Sequence, residues 1–155
     1  MMNTPLRLDN YFFPVVQVVA NPEYRSIEEH QEPIFKIAPS VAKNENGLYQ
    51  VSVEILLLQE EEKSPVPYSI HLVSLGFFAV QPDWPEPEKL LFINGSTILY
   101  AAAREFLITI SSRGPWGAVT LPMVSFLKMY QDIMAEQNSS GSDDENKEPG
   151  KQAEK

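Results

Sequence analysis

The chain has 155 residues, a net charge of −9, 43% apolar residues and no cysteine. That length fits one domain, able to bury roughly 70% of its unfolded surface, and the acidity argues against a phosphate backbone as partner. Without cysteine there are no disulfides and no thiolate chemistry, which suits a reducing, cytoplasmic setting. No apolar run reaches the ~20 residues of a membrane-spanning helix, so no membrane insertion is expected, and the first residues do not read as a secretory signal.

In chain order, the first eighty residues read as strands. Arg7 to Ala20 is rich in Tyr, Phe and Val and is interrupted by Pro14. Ile34 to Val41 follows, with Pro39 hinting at an edge position. Leu48 to Leu58 is the clearest. Its Tyr49, Val51, Val53, Ile55 and Leu57 alternate with Gln50, Ser52 and Glu54, which places the two sets on opposite faces. Tyr68 to Val80 is the fourth, with Gly76 marking a bulge or a close approach. Short polar links between these segments predict an antiparallel meander.

Gln81 to Glu88 carries Pro82, Pro85 and Pro87 and predicts an extended loop. A helix is then expected, capped by Ser96, with Ile98, Leu99, Ala102, Phe106, Leu107 and Ile110 at helical spacing. Asn94-Gly95 leaves a hairpin turn as the alternative. Gly114-Pro115 stops the helix. Ser125 caps a second helix, with Val124 and Met129 at the staple positions and Phe126, Met129, Tyr130, Ile133 and Met134 on its apolar side. Residues 138–155 lack large apolar side chains, hold five acids and three lysines, and predict a disordered acidic polar tail. The domain is therefore expected over 1–137. Strands first and helices last make an α+β fold, a four-stranded antiparallel sheet with two helices on one face.

Reagents are scarce. His30 and His71 belong to no metal-ligand spacing, and there is no nucleophile elbow, phosphate loop or zinc-ligand motif. No catalytic residue, metal or cofactor is assigned, and an enzyme is not expected. Glu60, Glu61 and Glu62 read as a solvated hairpin tip or as a docking site for a basic partner. What remains is apolar surface. The first helix is apolar nearly all round, so one sheet cannot cover it. Its Ile98, Ala102, Phe106 and Ile110 are candidates for an interface with another subunit. Trp84, within Pro-Asp-Trp-Pro, has little regular structure to bury it and is a candidate groove wall.

At this point the chain resembles the SecB family of protein-export chaperones. The resemblance is carried by the four strands and long loop, Ile98-Leu99-Tyr100 leading to Ala103-Arg104-Glu105, Ser112-Arg113-Gly114, and Leu121-Pro122 before Phe126, in that order over residues 6 to 137. It implies sheet-edge dimers stacked through the long helix into a homotetramer, a dimer of dimers. It also implies an ATP-independent holdase that keeps precursor proteins unfolded and passes them to the translocation motor ATPase SecA. Phe77, Phe78, Trp84, Leu91, Phe92 and Trp116 are the groove or groove-adjacent candidates for client binding. Phe77 and Phe78, being consecutive in a strand, face opposite sides. Where motor-docking family members place acids on the exposed sheet, this chain aligns Val15, Val19, Ser69 and His71. Two alternatives follow: a SecB-like chaperone dedicated to one partner such as an antitoxin, or a non-enzymatic interaction module holding one folded partner.

Overall fold

The computed structural model describes residues 4–25, 32–60 and 64–141. Four strands form one antiparallel sheet: β1 (Leu6–Ala20), β2 (Lys36–Lys43), β3 (Tyr49–Leu57) and β4 (Tyr68–Val80). The four-stranded sheet is as expected, but the meander needs correction. The order is β1-β4-β3-β2, so only β2, β3 and β4 are consecutive neighbours, and β1 crosses to the far side of β4 in a Greek-key arrangement. Length explains the pairing. The 15 residues of β1 match the 13 of β4, whereas the 8 of β2 match the 9 of β3, so each long strand satisfies its backbone groups on the other long one.

Both edge strands carry a proline. Pro39 lies in β2, and Pro14 falls in the register shift between Phe12 and Val15, where a missing N–H costs no ladder bond. Gly76 lies in regular register and is a close approach: a Cβ there would stand 2.9 Å from Leu99 Cδ2.

One face of the sheet is core. Tyr49, Val51, Val53, Ile55 and Leu57 of β3, and Tyr68, Ile70, Leu72 and Phe78 of β4, are buried under the helices. Each such apolar side chain contributes about 1.5–3 kcal/mol on burial. The helical segment starts earlier than expected. Pro87 opens a short α1 (Pro87–Leu90), a π-helical turn follows over Leu91–Gly95, and α2 runs over Ser96–Ser111. Ser96 is therefore inside a helical run and caps nothing. The π turn inserts one extra residue, so the eight-residue step from Leu91 to Leu99 equals about two α turns. Both leucines then face the core, and both are fully buried.

The chain reverses after α2, where Tyr68 organises the bend. Its hydroxyl lies 2.9 Å from the Gly117 carbonyl and 3.2 Å from that of Ser111, and it accepts from the Trp116 N–H at 3.0 Å. Gly114 lies flat on its ring. Helix α3 (Phe126–Ser140) begins at Ser125 as expected, with Ser125 Oγ accepting from the Lys128 N–H at 3.2 Å. It runs through Ser140, three residues past the expected domain end at 137, because nothing in Asn138-Ser139-Ser140 breaks a helix already under way. Residues 142–155 of the expected tail lie outside the described residues.

Candidate functional site

The chemically active groups do not converge. Among the described residues no cluster of three His, Cys, Asp or Glu could hold a metal ion. Burial pushes the Tyr100 phenol above its ordinary range, with Arg104 pulling the other way, and the hydroxyl donates to the Pro122 carbonyl. It is a clasp between α2 and the following loop. The distinctive feature of this molecule is apolar surface left uncovered by its own chain, in three places.

The first is a strip at the β2 side of the helical layer. The Leu91–Gly95 turn touches both β2 and α3. Half-buried Ile37, Pro39 and Val41 of β2 lie to one side, and half-buried Met129, Tyr130 and Met134 of α3 to the other. Phe92 stands between them with its ring 5.5 Å from that of Tyr130, and Lys89 Nζ lies 5.8 Å from the Tyr130 ring centre.

The second is at one strand end. There Trp84 and Val80 border a mainly polar cleft of about 230 Å³, bounded also by Lys43, Tyr49 and the Gln81–Trp84 turn. Trp84 is 38% exposed. The turn closes through the Trp84 N–H to the Gln81 carbonyl at 3.2 Å, with Asp83 at positive φ. Near the other strand end, Ile34, Leu57, Leu58 and Val66 line a second cleft of about 140 Å³, with Glu60 at its rim.

The third belongs to β1. Tyr11, Phe12, Val16 and Val19 are all exposed, Val19 by 62%. No charged residue occurs between Tyr11 and Ala20. Edge strands are usually guarded by charge, and β2 is, by Lys36 and Lys43. β1 is bare. Phe13 stacks on Phe106 of α2 at 4.3 Å, which joins this edge to the helix carrying Ile98 and Ala102. On the outer sheet face Phe12 meets Phe77 at 6.1 Å, beside Val73 and Leu75. The same face pairs His71 Nε2 with Glu54 Oε2 at 3.0 Å.

The structure separates the six client-site candidates. Phe78 and Leu91 are fully buried. Phe78 fills the space left by Gly76 and Gly95, and Leu91 is turned inward by the π turn, so both are core residues that no client reaches. Phe77 is on the opposite face from Phe78, as strand alternation requires. Phe92 lies in the strip and Trp84 at the cleft. Trp116 is held at the opposite strand end. Its indole N–H donates to the Asn21 carbonyl at 3.0 Å, and its ring meets Tyr24 edge-on at 5.3 Å. Trp84 and Trp116 are thus separated by the length of β4, about 40 Å.

Of the interface candidates, Ile98 is exposed and Ala102, Phe106 and Ile110 are half-buried along one side of α2. Of the acidic run, Glu60 is exposed, whereas Glu61 and Glu62 lie outside the described residues. Val15 and Val19 were singled out from the sequence, whereas the exposed Tyr11, Phe12 and Val16 of the same strand were not. Their signal was available, a ten-residue segment, apolar except for Gln17, without a guarding charge.

No family model matches the chain. It is 26% identical over 96 residues to the protein-export protein SecB of Wolbachia pipientis subsp. Culex pipiens (strain wPip), covering 59% of this chain and 58% of that protein. It is 25% identical over 108 residues to the protein-export protein SecB of Wolbachia sp. subsp. Brugia malayi (strain TRS), covering 64% and 65%. The matches thus span about three fifths of the length of these relatives. In structure, the chain superposes with a TM-score of 0.61 on the Rv1957 SecB-like chaperone of Mycobacterium tuberculosis, determined in complex with a ChAD peptide from the Rv1956 HigA1 antitoxin. That superposition has 13% identity and covers 78% of this chain and 91% of that one. The open antiparallel sheet with C-terminal helices is a SecB-like fold. The chain is thus distantly similar in sequence to SecB proteins and SecB-like in fold.

Proposed function

We propose that the protein is an ATP-independent holdase chaperone that binds unfolded precursor proteins and delivers them for export. The observation that supports this most is the amount of apolar surface a single chain leaves bare on a SecB-like fold. An unfolded client exposes aromatic and branched side chains. Burying each contributes about 1.5–3 kcal/mol at best, so a long segment engaging several sites binds tightly and a native protein does not. The strip at Phe92 and the cleft at Trp84 are the client sites in this reading, and Phe77 adds surface on the outer face. The bare β1 edge and the Ile98, Ala102, Phe106 and Ile110 side of α2 are the assembly surfaces of a homotetramer, a cytoplasmic dimer of dimers.

The test is refolding of a slow-folding protein with an equal concentration of this one and no nucleotide. Reversible arrest supports the holdase. Unimpeded refolding rejects it and leaves a module for one dedicated partner.

One observation favours a second reading of the receptor. Val15, Val19, Ser69 and His71 all project from the outer sheet face, around Val73 and beside the His71–Glu54 pair. Motor docking through acids on this face is weakened accordingly, although Glu60 to Glu62 offer a replacement. In this reading the protein is a chaperone for one partner, such as an antitoxin. Salt-sensitive capture of SecA by this protein would reject it, and absence of any such binding would support it.

A further inference from the structure

The π turn over Leu91–Gly95 decides which of two neighbouring side chains faces the core. At Ser96, where the turn hands over to α2, the backbone N–H is shared between the carbonyl of Leu91, five residues back, and that of Ile93, three residues back. A regular α-helix would send it to Phe92. The consequence follows from phase. Eight α-helical residues overshoot two turns by about 80°, and seven fall short by about 20°. In an unbroken α-helix leading to the buried Leu99, the residue in phase is therefore Phe92, and Leu91 turns aside. The π turn reverses this. Leu91 is fully buried, and Phe92 is half-buried in the strip against Tyr130.

The α arrangement stays within reach for three reasons. Ser96 Oγ is fully buried and has no hydrogen-bond partner among the described residues, a cost of the π turn. An α-helix restores the Phe92 carbonyl to the i−4 position, where a helical serine hydroxyl donates. Upstream, α1 buries no residue, so it can rotate with the turn. Gly95, at the pivot, has no side chain to unseat; a Cβ there would stand 3.3 Å from Val51 Cγ2. Volume acts the other way. Phenylalanine in the space of a leucine overpacks the core, which keeps the π arrangement the major one.

We propose that residues 91–96 exchange between two forms, a π form that displays Phe92 on the strip and an α form that withdraws it into the core, and that an unfolded client holds the π form by binding it. The inference rests on the reading of the strip as a client site and adds a device that regulates that site. A ligand shifts such an equilibrium only through different affinities for the two forms. An aromatic ring displayed in one form and withdrawn in the other supplies that difference. Without a client, the α form removes part of the exposed apolar surface. With a client bound, the exchange stops.

The experiment is relaxation-dispersion NMR of the full chain, read at the Leu91 and Leu99 methyl groups and the Ser96 amide. Exchange on the microsecond-to-millisecond scale is expected, with a minor form of about 1–10%. Deleting Asn94 removes the extra residue. A plain α-helix then keeps Leu91 in the core and Phe92 on the strip, so the exchange should vanish while the melting temperature holds or rises. Flat profiles in the natural chain, or exchange that survives the deletion, would overturn the proposal. Should the deletion fail to fold, Phe92→Leu carries the test. Leucine fits the core, so the minor population should rise about threefold or more, and an unchanged population rejects the two forms. Adding a reduced, alkylated protein that cannot refold separates the device from the reading beneath it. Loss of exchange on binding supports both. Exchange that persists in the complex rejects client control of Phe92, and absence of binding rejects the client site, while the two forms stand or fall on the profiles of the free protein.

Discussion

Single residues divide into those that hold the bend and those that offer surface. Tyr68 uses its hydroxyl as both donor and acceptor at the reversal after α2, and Gly114 fits beneath it because it has no side chain. A Cβ at Gly114 would fall 2.5 Å from the Tyr68 hydroxyl and 2.7 Å from Cε1. Gly114→Ala should therefore destabilise the fold by about 1–3 kcal/mol, seen as a lower urea midpoint with an unchanged slope. Trp84 is different. It is partly exposed and lies on a turn that no core residue depends on. Trp84→Ala should leave the melting temperature and the oligomer unchanged and weaken binding of an unfolded client about three- to tenfold, consistent with loss of one aromatic contact among several. Unchanged affinity in a titration with a permanently unfolded protein would remove Trp84 from the site.

Among elements, α3 is the least secured. Phe126 is its one buried residue, and beyond Met134 it is exposed on all sides. Its start then matters more than its packing. The Ser125 side chain satisfies one of the free N–H groups of the first turn, so Ser125→Ala should cost about 1 kcal/mol. Faster amide exchange across Phe126–Tyr130, with β3 and β4 unaffected, is the expected signature. The same loosening should disturb the Phe92–Tyr130 contact and so the adjoining strip. Beside this, β3 and β4 are buried at every inward position from Tyr49 to Leu57 and from Tyr68 to Phe78, with Gly76 making room for Leu99 of α2. The sheet is the better-buried layer, and the helical layer carries the apolar strip at Phe92.

For the whole molecule the question is whether the proposed assembly covers β1 and the outward side of α2. Val16 is on the inward face of β1, opposite Leu72, yet is 43% exposed. A lysine there should change the stability of the monomer by no more than about 0.5 kcal/mol and should abolish edge pairing. Val16→Lys is thus expected to shift the protein to a smaller species in light scattering at unchanged melting temperature. An unaltered mass would show that the edge is not an assembly surface. The net charge of −9 adds a further constraint. Copies of this chain repel one another at long range, so association has to come from short-range burial and locally paired charges.

The order of residues determined most of the local structure. Strict alternation in β3 is legible because one face meets the core and the other does not, and Ser125 announces a helix start by its own chemistry. The exposed status of Trp84 was legible too, since prolines on both sides keep it out of regular structure. Three other features were decided by tertiary contacts. Strand order followed from matching lengths across the sheet, which adjacency along the chain does not reveal. The π turn hid the helix start, because one inserted residue puts Leu91 and Leu99 out of α-helical phase in the sequence but on the same side in space. Burial sorted the aromatic candidates: Phe77 and Phe78 are chemically identical neighbours, and only the helices packing on one face make Phe78 core and leave Phe77 as surface.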